Sequence, residues 1–174
     1  MMKVLRSTIF AASLVGLCFI SHAAAQSKKV QLNNAKGESV GTATITPIKS
    51  GGVSIKLDLK NLTQGTHGIH FHQVAKCEAP GFTTAGGHFN PGAKMHGLHN
   101  PSGPHAGDMM NFNVDQSGKA KVTLTNDRVD LGSGANSLFS NGGTALVIHE
   151  KADDYMTDPS GNSGARIACG VIVK

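Results

Sequence analysis

Apolar and polar residues alternate along much of this chain. The clearest run covers residues 53–60, where Val53, Ile55, Leu57 and Leu59 are separated by polar side chains. A period of two places neighbouring side chains on opposite faces of a strand, so such a run predicts a half-buried β-strand. Similar runs predict further strands at residues 30–34, 40–48, 68–73, 110–114, 119–125, 145–149 and 167–173. The pattern therefore indicates about eight strands.

Turn signals separate many of these strands, and no segment has a helical period of useful length. Clusters of Gly, Asn and Ser lie at residues 49–52, 115–118 and 141–143. The predicted fold is all-β, an eight-stranded antiparallel Greek-key β-barrel or sandwich. Residues 74–109 and 150–166 are Gly-rich and lack a strand pattern. Long loops in a compact domain are usually functional, so we expect the chemistry to lie there.

The first 25 residues are typical of a secretory signal peptide. Lys3 and Arg6 precede an apolar run from Ile9 to Ile20, which is too short to span a bilayer, and small alanines follow it. Cleavage would leave one domain, residues 26–174, with no membrane contact. The alternatives are a membrane anchor and a buried helix. The remaining 14 basic and 11 acidic residues give a net charge of +3. This charge is too weak to predict a nucleic-acid partner.

Two cysteines, Cys77 and Cys169, remain after removal of the signal. An even pair in an exported chain predicts a disulfide bond. The alternative is two reduced thiols in the core.

Histidines cluster in the sequence, and two of them lie in a predicted strand. Residues at i and i+2 of a strand share a face, so His70 and His72 project together while Ile69 and Phe71 face the core. This pair could hold a metal ion from two sides. His149 ends another predicted strand and could complete the same site.

A second group lies in the long loop. It consists of His88, His96, His105 and Asp108. Three imidazoles and one carboxylate form the closed set of four ligands that Zn²⁺ prefers in a tetrahedral site. Zinc could also organise a loop that has no secondary structure of its own. The alternative is a set of structural histidines whose hydrogen bonds are satisfied within the protein.

In order and spacing, these residues and their neighbours resemble the Cu,Zn superoxide dismutase family, specifically its bacterial exported branch. The matching segments are HGIHFH at 67–72, GHFNP at 87–91, HG at 96–97, HAGD at 105–108, HEKADD at 149–154 and GNSGARIACG at 161–170. The resemblance covers roughly residues 29 to 174. It implies an enzyme of the periplasm that converts superoxide anion into oxygen and hydrogen peroxide, using copper that cycles between Cu(II) and Cu(I).

The resemblance also implies a role for each matching residue. The implied copper ligands are His70, His72, His88 and His149, and the implied zinc ligands are His88, His96, His105 and Asp108. His88 would bridge the two metals as an imidazolate and take part in catalysis.

Five further positions match supporting residues of the family. Asp153 would link a copper-side histidine to a zinc-side histidine, and Arg166 would bind superoxide beside the copper. Cys77 and Cys169 would form the family disulfide. His67 matches a structural histidine of the family, and by its period it shares a face with Ile69 and Phe71. His99 matches no ligand and is expected to be an exposed loop residue.

Two rival functions remain open. The same ligands could serve a periplasmic copper- and zinc-binding carrier without turnover, or a protein of the same fold whose site has lost its activity. Arg166 and the bridging position of His88 favour the enzyme, because a carrier needs neither. The resemblance is compatible with both a monomer and a homodimer, and we predict the homodimer.

Overall fold

The structure is a computed structural model that describes residues 26–174, so the predicted signal peptide at residues 1–25 lies outside the described residues. The strands are β1 (Lys28–Asn34), β2 (Ser39–Pro47), β3 (Val53–Leu59), β4 (Gly65–His67), β5 (Ile69–His72), β6 (Phe112–Val114), β7 (Ala120–Asn126), β8 (Thr144–His149) and β9 (Arg166–Ile172). Short 3₁₀ turns lie at Thr83–Ala85 and Ser140–Gly142. Within residues 26–174, no helix is long and apolar enough to cross a membrane.

All strand pairs are antiparallel, as the alternating pattern predicts. Seven strands form one curled sheet in the order β5-β8-β9-β1-β2-β3-β7, and β4 pairs with β6 in a second, two-stranded sheet. The prediction of an all-β antiparallel barrel is confirmed. β5 and β7 are therefore the two edges of the large sheet.

The clearest predicted strand is also the most regular one. β3 pairs with β2 and β7 without a register shift. Its residues Val53, Ile55, Leu57 and Leu59 are all buried in the main core. The intervening Lys56 and Asp58 are exposed. Burying one face of each strand against the opposite wall forms the interior of the barrel.

The strand predicted at residues 68–73 corresponds to β5, but the short strand β4 that precedes it was not predicted. β4 ends at His67 and β5 begins at Ile69, and the two strands belong to different sheets. Between them, Gly68 donates its N–H to the Lys151 carbonyl and accepts from the N–H of His149. β4 has only three residues, which are too few to show a period of two by themselves. Residues 26–174 therefore contain nine strands, not eight.

The disulfide prediction is confirmed. Cys77 and Cys169 are bonded, with their Cα atoms 5.6 Å apart and 92 positions apart in sequence. The bond joins the long loop after β5 to strand β9. Phe82 and Ala85 of the same loop pack with Val147 on the outer face of β8. The loop therefore covers the sheet, and β8 is buried on both faces.

Candidate metal centre

Three histidines of the site are carried by neighbouring strands. His70 and His72 lie on one face of β5, with ring centroids 6.5 Å apart, and His149 ends β8. The His149 ring lies 4.8 Å from that of His70 and 5.6 Å from that of His72. The Nε2 atoms of His72 and His149 are 3.4 Å apart. The pairing of β5 with β8 thus brings these buried imidazoles together.

The other side chains of the site converge from the loop after β5. The Oδ1 atom of Asp108 lies 2.9 Å from His88 Nδ1, 3.2 Å from His96 Nδ1 and 3.3 Å from His105 Nδ1. Its Oδ2 atom accepts the backbone N–H groups of Gly97, at 2.9 Å, and of His105, at 3.0 Å. The carboxylate is therefore fixed at the centre of three imidazoles.

These side chains form two adjoining groups that share one histidine. One group is His70, His72, His88 and His149, and the other is His88, His96, His105 and Asp108. In each group, one possible ligand atom from every residue lies within 4.8 Å of the others. The sequence-based grouping of these residues is thus reproduced in space.

Three buried ring nitrogens in the cluster form no hydrogen bond with any of residues 26–174: His70 Nδ1, His88 Nε2 and His96 Nδ1. His96 Nδ1 has only the ion-pair contact with Asp108 Oδ1 at 3.2 Å. A buried polar atom without a partner is costly, and such atoms call for an explanation. Bound cations would satisfy all three. The chemistry agrees, because imidazole suits copper and a His₃Asp set suits zinc.

Asp153 connects the two groups from outside. Its Oδ2 accepts from His70 Nε2 at 2.6 Å, and its Oδ1 accepts from His96 Nε2 at 3.0 Å. The His72 ring is oriented in a similar way, because its Nδ1 donates to the Gly86 carbonyl at 2.9 Å. Such hydrogen bonds fix the tautomer and the direction of the ring nitrogen that faces a metal.

Two residues that hold this arrangement were missed by the sequence analysis. Asn111 brackets Asp153, because its Oδ1 accepts the Asp153 N–H and its Nδ2 donates to the Asp153 carbonyl, both at 2.9 Å. Asp158 accepts the backbone N–H of His96 at 2.7 Å. Asn111 looked like an ordinary polar position of a predicted strand. The strand instead begins at Phe112.

We call His88, His96, His105 and Asp108 the loop group. The carboxylates of Asp108 and Asp153 control its charge. Burial alone would raise the pKa of Asp108, but its close contacts with His105, His88 and His96 hold that pKa far below its usual range. Burial likewise opposes the charged form of His96, but the carboxylates of Asp108 and Asp153 outweigh it and raise the pKa of His96 to about 9. The metal-free protein therefore holds a proton on His96.

We call His70, His72, His88 and His149 the strand group. In this group the effect of burial prevails, so the pKa values of the histidines are lowered and not raised. Burial, with repulsion from His70 and His88 next in importance, lowers the pKa of His149 to about 2. Burial also lowers the pKa of His72 well below its usual value. Burial and the neighbouring His70 lower the pKa of the shared residue His88 to about 4. These rings are neutral at ordinary pH, which is the form that binds a metal.

An open cleft of about 630 Å³ gives access to the site from solvent, and His88, His149 and Arg166 are among its lining residues. Arg166 begins β9 and is half-buried. Its Nη1 donates to the Phe82 carbonyl and its Nη2 to the Gly86 carbonyl, both at 2.7 Å. These bonds hold a positive charge at the wall of the cleft, where a small anion can approach the histidines.

Among residues 26–174, two histidines lie outside both groups, as the sequence predicts. The ring nitrogens of buried His67 lie 2.8 Å from the carbonyl oxygens of Thr63 and His149, so both are already used. His99 is exposed, and its ring packs against Tyr155 at 5.1 Å.

Fold and site together define a class of protein: an antiparallel β-barrel metalloprotein with two adjoining four-ligand groups that share one histidine. The sequence profile of the copper/zinc superoxide dismutase family matches residues 39–172. The chain belongs to this family, which is named for copper and zinc.

Individual relatives agree with this assignment. Copper–zinc superoxide dismutase 1 of Aquifex aeolicus is 52% identical over 141 residues, which cover 80% of this chain and 83% of that protein. The crystal structure of a superoxide dismutase-like protein from Bacillus subtilis has a TM-score of 0.81 at 41% identity, covering 83% of this chain and 97% of its own. The copper/zinc superoxide dismutase of Brucella abortus has a TM-score of 0.70 at 31% identity, covering 84% and 99%.

Proposed function

We propose that this protein is a superoxide dismutase, which converts two superoxide anions and two protons into one O₂ and one H₂O₂. The observation that carries this proposal is the complete set of ligands around the shared His88. The fold alone would not be enough, because the Bacillus subtilis relative with the same fold is described only as dismutase-like.

We assign each metal by the ligands that suit it. Copper would be held by His70, His72, His88 and His149, and zinc by His88, His96, His105 and Asp108. His88 supports a bridge, because its Nδ1 lies beside Asp108 while its buried Nε2 has no partner within residues 26–174. The disposition of its two nitrogens matches a ring that contributes one ligand atom to each metal.

In this mechanism copper supplies one-electron chemistry, between Cu(II) and Cu(I), and zinc supplies a fixed charge that is not redox-active. Arg166 binds the superoxide anion in the cleft, and its bonds to the Phe82 and Gly86 carbonyls keep the guanidinium in place. In the half-cycle in which its Nε2 is not a copper ligand, His88 would hold a proton at that atom and pass it to the departing peroxide, whose second proton would come from water. Asp153 keeps the rings of His70 and His96 in the orientation that this requires.

The decisive experiment measures activity and metal content on one sample. The signal-free protein is loaded with copper and zinc, and superoxide dismutation is followed directly. Fast turnover with one copper and one zinc per chain is the expected result. Both metals bound without turnover would favour the carrier, and failure to bind either metal would overturn the ligand assignment.

The disulfide supports the proposal that the protein works in the periplasm. Cys77 and Cys169 form a disulfide bond. Disulfide bonds persist in oxidising compartments and are rare in the cytosol. Fractionation of cells that express the complete gene tests this, with the mature protein expected in the periplasmic fraction. The homodimer and the lack of a nucleic-acid partner stay predictions, and sedimentation of the loaded protein tests the first of them.

A further inference from the structure

We propose that Arg128, together with Asn126, is a positioning residue for Asp108, so that a corner beyond the end of β7 sets the geometry of the zinc group. This inference rests on the proposed function and deepens it. Neither residue belongs to the two ligand groups, and neither forms a side-chain hydrogen bond with a histidine ring of the site.

The contacts are direct. Arg128 Nη2 donates to the Asp108 carbonyl at 2.7 Å. Asn126 Nδ2 donates to the Ala106 carbonyl at 2.9 Å and to the Asp108 carbonyl at 3.3 Å. The Oδ1 of Asn126 accepts the Arg128 N–H at 2.8 Å, which locks the two donors together. Two side chains therefore converge on the backbone of one proposed ligand.

We call Asn126 and Arg128 the Asn126–Arg128 corner, and its hydrogen bonds differ from the other bonds of Asp108. The carboxylate accepts N–H groups of Gly97 and His105, which belong to the same loop and would move with it. Asn126 instead ends β7, pairs with Val53 in β3 and is 1% exposed. The Asn126–Arg128 corner therefore ties Asp108 to the barrel.

The same short segment is held from the other edge of the sheet. The carbonyl of Gly107 accepts the N–H of Phe71 in β5 at 3.0 Å. Since β5 and β7 are the two edges of the seven-stranded sheet, residues 106–108 bridge them. Phe71 fixes the centre of the segment, and the Asn126–Arg128 corner fixes the orientation of the Asp108 peptide.

Arginine is well suited to this position. A charged donor forms a stronger hydrogen bond to a carbonyl than a neutral one does. The second arm of the guanidinium, Nη1, binds the exposed Asp127 carboxylate at 2.9 Å. The planar group is thereby held at both arms, and its orientation is defined.

The test compares Arg128→Met with Lys94→Met. Both side chains line the same groove of about 330 Å³, and each substitution removes one positive charge from it. The Lys94 side chain forms no hydrogen bond or ion pair with Asp108, so it controls for charge. Loss of a nearby cation would by itself strengthen the binding of Zn²⁺. Weaker binding in Arg128→Met therefore reports lost positioning.

The readouts are the zinc dissociation constant, from competition with a chromogenic chelator, and the visible spectrum of Co²⁺ bound in the zinc group. We expect Arg128→Met to raise the zinc dissociation constant by about 10–100-fold, the usual range for residues behind a ligand. The Co²⁺ bands should shift, whereas Lys94→Met should bind zinc as tightly as the wild type or more tightly.

A purely structural role would give a different result. It would lower the melting temperature of the metal-free and zinc-saturated forms equally, whereas lost positioning reduces the rise in melting temperature that zinc produces. A folded Arg128→Met that binds zinc within about threefold of the wild type, well below the expected range, overturns the inference. If that variant does not fold, Arg128→Gln decides by the same criterion. A wild-type protein that binds no zinc would instead overturn the proposed function.

Discussion

The two ligand groups are built on different supports. His70 and His149 lie on paired strands, and the pairing of His70 with Val147 helps to fix where the first ring can point. The second group comes from a loop, and its carboxylate is placed by hydrogen bonds from the loop itself and from the Asn126–Arg128 corner. One group is positioned by the sheet, and the other by a network of polar contacts.

This difference predicts how each group behaves without metal. Side chains on a sheet keep their geometry, because their backbone is held by ladder hydrogen bonds. A loop group has less support, so binding of its metal contributes directly to folding. We therefore expect the strand group to be preformed and the loop group to depend on zinc. His88 belongs to both groups, so its replacement should affect copper and zinc binding together.

Replacement of His88 by alanine should have the largest effect. It removes a ligand from both groups, so the loss of turnover should exceed the upper limit of about 100-fold seen for residues that merely support a ligand. Dismutation is measured together with copper and zinc content. His99→Ala is the matched control, because it removes an exposed histidine outside both groups. Near-normal activity of His88→Ala with both metals bound would contradict the shared role.

Acid and base should destabilise the metal-free protein through different groups. The pKa of His88 is lowered to about 4, so between pH 6.5 and 4 the unfolded chain binds a proton at this residue that the folded chain does not bind. The free energy of unfolding therefore decreases as the pH is lowered. The pKa of His96 is raised to about 9, so its contribution is complete below pH 6.5 and is lost as the pH rises towards 9. The shifts of His88 and His96 each correspond to about 3 kcal/mol, and the lowered pKa values of His70, His72 and His149 add to the acid limb.

Urea unfolding of the chelator-treated protein at pH 5, 6.5 and 8.5 tests this prediction. Asp108 and Asp153 do not affect the change in unfolding free energy between pH 6.5 and 5. Their pKa values are lowered, so both are ionised in the folded and the unfolded chain above the ordinary carboxyl range. The free energy of unfolding should be greatest near pH 6.5. A flat profile would show that the two groups do not differ in charge as the structure implies.

Much of the strand group could be predicted from the sequence, because its information is local. The period of two placed His70 and His72 on one face, and the family resemblance supplied roles for them and for His149. The contacts behind the loop group are not local. Asn111 lies 42 positions from Asp153, and Arg128 lies 20 from Asp108. Nothing in the pattern around either residue indicates its partner, since both resemble ordinary polar positions near a strand.

Asp153→Asn gives a smaller effect but the sharpest comparison, because this carboxylate touches one histidine from each group. An amide cannot accept from both rings with the same strength, so support behind His70 and His96 is weakened together. His70 keeps the orientation given by β5, whereas His96 depends on the loop. We expect the zinc dissociation constant to rise by about 10–100-fold, and that of copper by less than about 10-fold.

Asp154→Asn is the matched control for this variant. The Asp154 carboxylate accepts the N–H groups of Met156 and Thr157 and touches no histidine, so the same charge is removed without altering the rings. Equal losses at copper and zinc in Asp153→Asn would mean that β5 gives His70 no advantage, and the contrast between strand and loop support would be wrong. A larger rise in the zinc dissociation constant than in that of copper would show that the loop group depends on these polar contacts more than the strand group does.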